Sequence, residues 1–78
     1  MINAEVSIYP LKTDQASEVI NSCLENLKHQ NVDYDIGSIS THLQGLDEEV
    51  WQILQNMFID AQQTGEISMV VTITNAAD

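Results

Sequence analysis

Apolar residues recur along this chain with two different periods, and the places where the period changes mark its elements. At the amino end, Ile2, Ala4, Val6 and Ile8 alternate with Asn3, Glu5, Ser7 and Tyr9. A period of two predicts a strand with one buried and one open face. Pro10 has no N–H to give to a ladder and predicts the strand's end. Ala16, Val19, Ile20, Cys23, Leu24 and Leu27 then recur at spacings of three and four, which is one face of an α-helix. Thr13 or Asp14 is placed to cap its start. Asp14 and Glu18 suit the positive end of the helix dipole, and Lys28 and His29 suit the negative end.

The period then returns to two. Tyr34 and Ile36 alternate with Asp33 and Asp35, and Thr41 and Leu43 alternate with Ser40, His42 and Gln44. Gly37 and Ser38 are turn-forming residues, so two short strands joined near residues 37–40 are expected, with Gly45 closing the section. Asp47 is expected to cap a second helix, with Glu48 and Glu49 in its first turn. Val50, Ile53, Leu54, Met57, Phe58 and Ala61 repeat the helical stripe, and Gly65 is a suitable stop. A last strand follows, in which Ile67, Met69, Val71 and Ile73 alternate with Ser68, Val70, Thr72 and Thr74. Residues 75–78 read as a frayed tail.

The predicted order is β-α-β-β-α-β. The two helical stripes superimpose at a constant offset, Ala16 on Val50 (50 − 16 = 34) through Leu27 on Ala61. That pattern fits a split βαβ: an α+β, ferredoxin-like fold with an antiparallel sheet and two helices on one face. Each helix has a single apolar stripe, so both must cover the same side of the sheet. The other side is left open. By strand phase it carries Asn3, Glu5, Ser7, Tyr9, Ser68, Thr72 and Thr74, with Val70 as its apolar exception.

Composition narrows the function. A chain of 78 residues makes one domain, 1–78, with a thin core. Small domains usually need a staple. The single cysteine, Cys23, forbids an intrachain disulfide, and no Cys/His cluster offers a structural zinc site. Subunit association is the expected device. Twelve acidic residues stand against two lysines and no arginine, a formal charge of −10. Nucleic acid and anionic membranes are thereby disfavoured as partners, and there is no arginine to clamp a phosphate. Cationic or neutral ligands suit the field. The amino end lacks a basic segment followed by a long apolar stretch, and no apolar run reaches 18 residues, so a cytoplasmic protein is expected.

Candidate chemistry points to binding and away from catalysis. Cys23 lies in an apolar stripe and reads as a small buried hydrophobe. His29 reads as a dipole partner at a helix end, and Glu48 and Glu49 as helix-start charges. No catalytic set, metal site or cofactor is expected. A metal chaperone of this fold needs two nearby cysteines, an acyl phosphate hydrolase needs a cationic cradle, and an RNA-binding sheet needs basic and stacking residues. The sequence supplies none of these sets. His42, in a short strand, is a surface residue or a ligand contact. Trp51 lies one residue off its stripe and is expected to be partly buried or to meet a subunit or ligand. Glu5 lies mid-strand on the open face. If that face is covered, its carboxylate needs a donor or a cation.

AEVSIYPL at Ala4–Leu11, followed by a helix, then GSISTHLQG at Gly37–Gly45, a second helix and a terminal strand resembles the small thiamine/hydroxymethylpyrimidine-binding proteins. The resemblance covers nearly the whole chain, and the opening strand is its most specific part. The family's middle segment looks like Gly-x-x-x-Thr followed by a hydrophobic-Glu-Gly-Asp turn. Gly37, Thr41 and Gly45 match; Gln44 stands in place of the acid, and Leu46 precedes the Asp. The resemblance implies a ferredoxin-like fold, a homodimer or homotetramer, and thiamine or its pyrimidine moiety as ligand. A thiazolium cation and an aminopyrimidine suit carboxylates, hydroxyls and a flat aromatic wall. Glu5, Ser7, Tyr9, Ser38, Thr41 and His42 are therefore the expected ligand-binding residues. The alternative is a non-catalytic, self-associating interaction or regulatory module with no small ligand. A small catalyst built between protomers is the third reading.

Overall fold

The computed structural model describes residues 1–11, 16–25, 27, 32–37, 40–63 and 65–76. Its elements are β1 (Ile2–Pro10), α1 (Ala16–Glu25), β2 (Asp33–Ile36), β3 (Thr41–Gly45), α2 (Asp47–Gln62) and β4 (Ile67–Thr74). The strands form one antiparallel sheet in the order β2-β3-β1-β4. This is the β-α-β-β-α-β, ferredoxin-like arrangement that the two periods predict.

The register explains which residues meet. Ala4 lies opposite Leu43 on one side and Ile73 on the other; Val6 lies opposite Thr41 and Val71. Paired residues point to the same face of a sheet, so these rows form the floor under the helices. Ile2, Ala4, Val6 and Leu43 are buried there against Leu27 and against Val50, Ile53, Leu54 and Met57 of α2. Cys23 is buried at the contact of the two helices, where its thiol donates to the Met57 carbonyl at 3.6 Å. Those two residues are equivalent positions in the two stripes. The repeat seen in the sequence therefore becomes a helix–helix contact about the fold's pseudo-twofold. Burial, and secondarily the charge of Asp60, pushes the Cys23 pKa up from 9.0.

The first strand ends at Pro10, as expected; Pro10 still pairs with Ile67, and Leu11 just beyond the strand donates to the Glu66 carbonyl at 2.8 Å. The described pairing of β1 with β3 stops at Val6, and a proline is tolerated in a strand that has a neighbour on one side only. Two local expectations are corrected. Asp47 is not the cap of α2. Leu46 is, with extended backbone and no side-chain cap bond, and its carbonyl takes the Val50 N–H at 2.9 Å. Asp47 is already inside the helix, where the dipole suits a carboxylate, and it pairs with the Met1 ammonium at 3.3 Å. Phe58 belongs to the predicted stripe but is exposed. Helix α2 sits mainly over β1 and β3, so its stripe overhangs the β4 side of the sheet. The expected caps of α1, Thr13 and Asp14, and the partners Lys28 and His29, lie outside the described residues.

Two glycines have positional reasons. Gly65 follows α2 with φ of 138°, a conformation that side chains disfavour, and its N–H closes the last turn on the Gln62 carbonyl at 3.2 Å. Gly45 ends β3 opposite Ile2, and a β-carbon there would stand 2.7 Å from a methyl of Val32.

Candidate functional site

The helix-free face of the sheet is built from the alternate positions of the same strands. Glu5, at the centre of β1, lies opposite His42 of β3 and Thr72 of β4, and His42 lies opposite Asp35 of β2. One row therefore crosses all four strands as Asp35–His42–Glu5–Thr72. Side chains directly opposite in an antiparallel pair have β-carbons about 4.5–5.5 Å apart, so His42 has a carboxylate neighbour on each side. The next row is Asp33–Gln44–Asn3–Thr74. Asn3, Glu5, His42, Thr72 and Thr74 line an open hollow of about 200 Å³. Its lining offers a carboxylate, an imidazole, an amide and two hydroxyls.

The predicted site residues divide between two places. Glu5 and His42 are brought together in this hollow. Ser7 and Thr41 instead border a smaller cavity of about 100 Å³ at the end of the sheet, with Gly37, Ser40 and apolar residues of α1. Thr41 is buried on the helix side, opposite Val6. Tyr9 is exposed and lies opposite Ser68, outside both hollows. Ser38 lies outside the described residues. Asp35 and Thr72 join the row, and Asn3 joins the hollow from the next row, without having been singled out as ligand contacts. Their alternation placed Asn3 and Thr72 on the open face, but only the strand register sets them beside Glu5 and His42. Among the described residues no group of three His, Cys, Asp or Glu is placed to hold a metal ion.

A third hollow, about 530 Å³, runs between α2 and β4 on the other side of the sheet. Its lining is almost wholly apolar and includes Trp51, Phe58, Ile59, Met69 and Val71. Trp51 is 55% exposed, Ile59 48% and Phe58 38%. Trp51 thus lies at an open groove and not in the core.

The model of the YKOF-related family matches residues 1–77. The chain belongs to the YKOF-related family. Solved structures extend the likeness. A Streptococcus pneumoniae protein superposes with a TM-score of 0.91 at 22% identity, over 97% of this chain and 87% of that one. A Bacillus cereus domain of unknown function, DUF77, gives 0.84 at 19% identity, over 96% and 75%. A Thermotoga maritima protein assigned provisionally to thiamine biosynthesis or salvage gives 0.85 at 18% identity, over 96% and 83%. At these identities the likeness establishes the shared fold. No curated protein matches the chain at a significant level. Among the described residues no helix is long and apolar enough to cross a membrane.

Proposed function

We propose that this member of the YKOF-related family binds a small cationic or amino-bearing heteroaromatic molecule, thiamine or its hydroxymethylpyrimidine moiety, on the open sheet face. The observation that carries the reading is the register that sets Glu5 beside His42 in a hollow also lined by Asn3, Thr72 and Thr74. The carboxylate complements a cation or an exocyclic amine, and the imidazole, amide and hydroxyls supply donors and acceptors for a pyrimidine edge. Family membership and the provisional thiamine assignment of one structural neighbour support the same ligand class.

Size adds a condition. Ligand sites commonly enclose about 300–1,000 Å³. The hollow has about 200 Å³ and is open, enough for one ring. A second subunit laid over the face would supply the missing wall, so the site is oligomer-dependent in this reading. The protein acts by binding and not by catalysis. A cytoplasmic setting belongs to the proposal, in keeping with the single buried thiol.

Isothermal calorimetry with thiamine and with hydroxymethylpyrimidine tests it. Saturable heat is expected for at least one of them, lost or weakened at least tenfold in Glu5→Gln and in His42→Ala. Glu5 and His42 are exposed, so both variants should keep the wild-type melting temperature within a few degrees. Absence of heat and of thermal shift at millimolar ligand refutes the proposal.

A further inference from the structure

A face built only to attract a cation has no need of a histidine between its carboxylates. The four strands contain no lysine and no arginine, so His42 is the one side chain in the sheet that can carry a positive charge. Register fixes what faces it. Glu5 of β1 stands directly opposite on one side and Asp35 of β2 on the other. Asp33, one row along β2, is the third acid on that face, and Thr72 of β4, beyond Glu5, is neutral. The described core residues of the helices pack on the other side of the sheet. His42, Glu5, Asp33 and Asp35 are all exposed, so water reaches each of them. Glu5 and His42 line the hollow, and Asp35 does not.

Histidine is the side chain that ordinarily gains or loses its charge between about pH 5 and 8. With the imidazole neutral, the carboxylates of Glu5 and Asp35 give the row a charge of −2; with it protonated, the sum is −2 + 1 = −1. A cation drawn to Glu5 stands about one strand spacing, roughly 5 Å, from the imidazole. Repulsion between two like charges at that distance changes affinity by about fourfold in bulk water, and by a hundredfold or more at an effective dielectric of about 20. Proton and cation therefore compete for the field of the same carboxylates, although they occupy different atoms.

We infer that ligand binding on the open face is proton-linked: a cationic ligand displaces the His42 proton, which leaves the ring nitrogen for solvent as the ligand settles against Glu5. The inference rests on the ligand reading above and adds its regulation. Binding tightens as pH rises and the ligand is let go on acidification. Linkage makes the effect reciprocal, so the ligand in turn drives His42 to its neutral form. That form is also the useful one. An imidazolium is a donor at both nitrogens, whereas neutral imidazole has one acceptor, which suits an exocyclic amine. Asp35, on the side of His42 away from the hollow, can take the N–H that remains.

Calorimetry with thiamine from pH 5.5 to 8.0, on the wild type and on His42→Gln, tests this. The thiazolium charge is fixed, and titration of the pyrimidine is common to both proteins and cancels between them. Wild-type affinity should rise at least threefold across the range relative to His42→Gln. At pH 6.5 the wild-type heat should differ between phosphate and Tris buffers in the sense of proton release, up to one proton per ligand. Proton NMR of the wild type decides the matter even if His42→Gln binds too weakly to measure. Thiamine added at pH 6.0 should move the His42 ring signals toward their pH 8.0 positions and leave those of His29 in place, the two being assigned with His42→Gln. Binding without proton release and with unmoved His42 signals overturns the inference and leaves the ligand reading standing. So does binding that tightens toward acid pH. Absence of binding at every pH refutes the ligand reading and the inference with it.

Discussion

Replacing Gly45 by alanine places a methyl group against Val32. The β-carbon would stand 2.7 Å from one Val32 methyl and 3.2 Å from its β-carbon, and Val32 is buried at 8% exposure. Two effects of opposite sign follow. Glycine in a strand is destabilising by roughly 0.5–1 kcal/mol relative to alanine, and Gly45 is not at positive φ, so alanine recovers that amount. Overpacking a well-filled core costs about 1–3 kcal/mol. The net is a loss of up to about 2.5 kcal/mol, or a melting temperature lower by up to roughly 20 °C at about 4–8 °C per kcal/mol for a domain of this size. Val32→Ala removes the methyl that causes the clash and by itself costs roughly 1.5–3 kcal/mol for the lost burial and the cavity. In that background the remaining contact, β-carbon to β-carbon at 3.2 Å, needs a shift of a few tenths of an ångström. Gly45→Ala should then be neutral within about 0.5 kcal/mol, the backbone gain offsetting the residual crowding. Urea denaturation of the four proteins gives the coupling, expected at about 1–2 kcal/mol in favour of the double variant. Equal cost of Gly45→Ala in both backgrounds refutes the packing account. Gly45 would then have to be explained by something it touches other than Val32.

Further outcomes follow from single features. Because the folded Cys23 pKa is raised, its contribution to stability is intact below about 9.0 and is lost as pH rises from there through the folded value. Urea midpoints measured from pH 7 to 10.5 should fall more steeply for the wild type than for Cys23→Ala; parallel curves refute the buried-thiol account. Gly65→Ala should cost about 1 kcal/mol through φ of 138° and nothing through space, since no atom lies within 4 Å of the added carbon; a stabilised variant in thermal melts contradicts it. Asp47→Asn should cost under about 1 kcal/mol, because both partners of its ion pair are more than half exposed. A loss above 2 kcal/mol in urea melts would mean that Asp47 does more than meet the dipole and the Met1 ammonium.

The fold was legible because each element states its own period, and the alternation survives in the burial of β4 along its whole length and of β1 as far as Val6. Even the pairing of Cys23 with Met57 was latent in the constant offset between the two stripes. What the pattern could not reach was anything set by pairing across strands. Phase places Glu5 on the open face, but only register puts His42 against it and Asp35 beyond. The resemblance names Thr41 as a ligand hydroxyl, whereas phase sets it with Leu43; it is one residue from His42, and one residue in a strand is the opposite face. Trp51 and Phe58 were ambiguous for a related reason. A helical stripe says which side faces the sheet, not how far the sheet extends beneath it, and here α2 overhangs the edge.

Charge ties the two faces together. The acids that the periodicity assigns to helix starts, Asp47, Glu48 and Glu49, are at the first turn of α2, where the dipole accounts for them. Glu5, Asp33 and Asp35 are different, since they stand on the open face, where their register partners are His42, Thr72 and Gln44. They give that face a potential suited to a cation, and salt should weaken such binding by screening it. Two copies of this chain carry −10 each, so salt should strengthen a contact between them by screening their repulsion. Ligand binding and self-association should therefore show salt slopes of opposite sign. If the ligand wall comes from a second subunit laid over the open face, the two slopes become coupled. At low salt, ligand affinity would then depend on protein concentration, and at high salt it would not. That dependence separates a site complete within one chain from one that assembly completes, even before a pocket residue is altered.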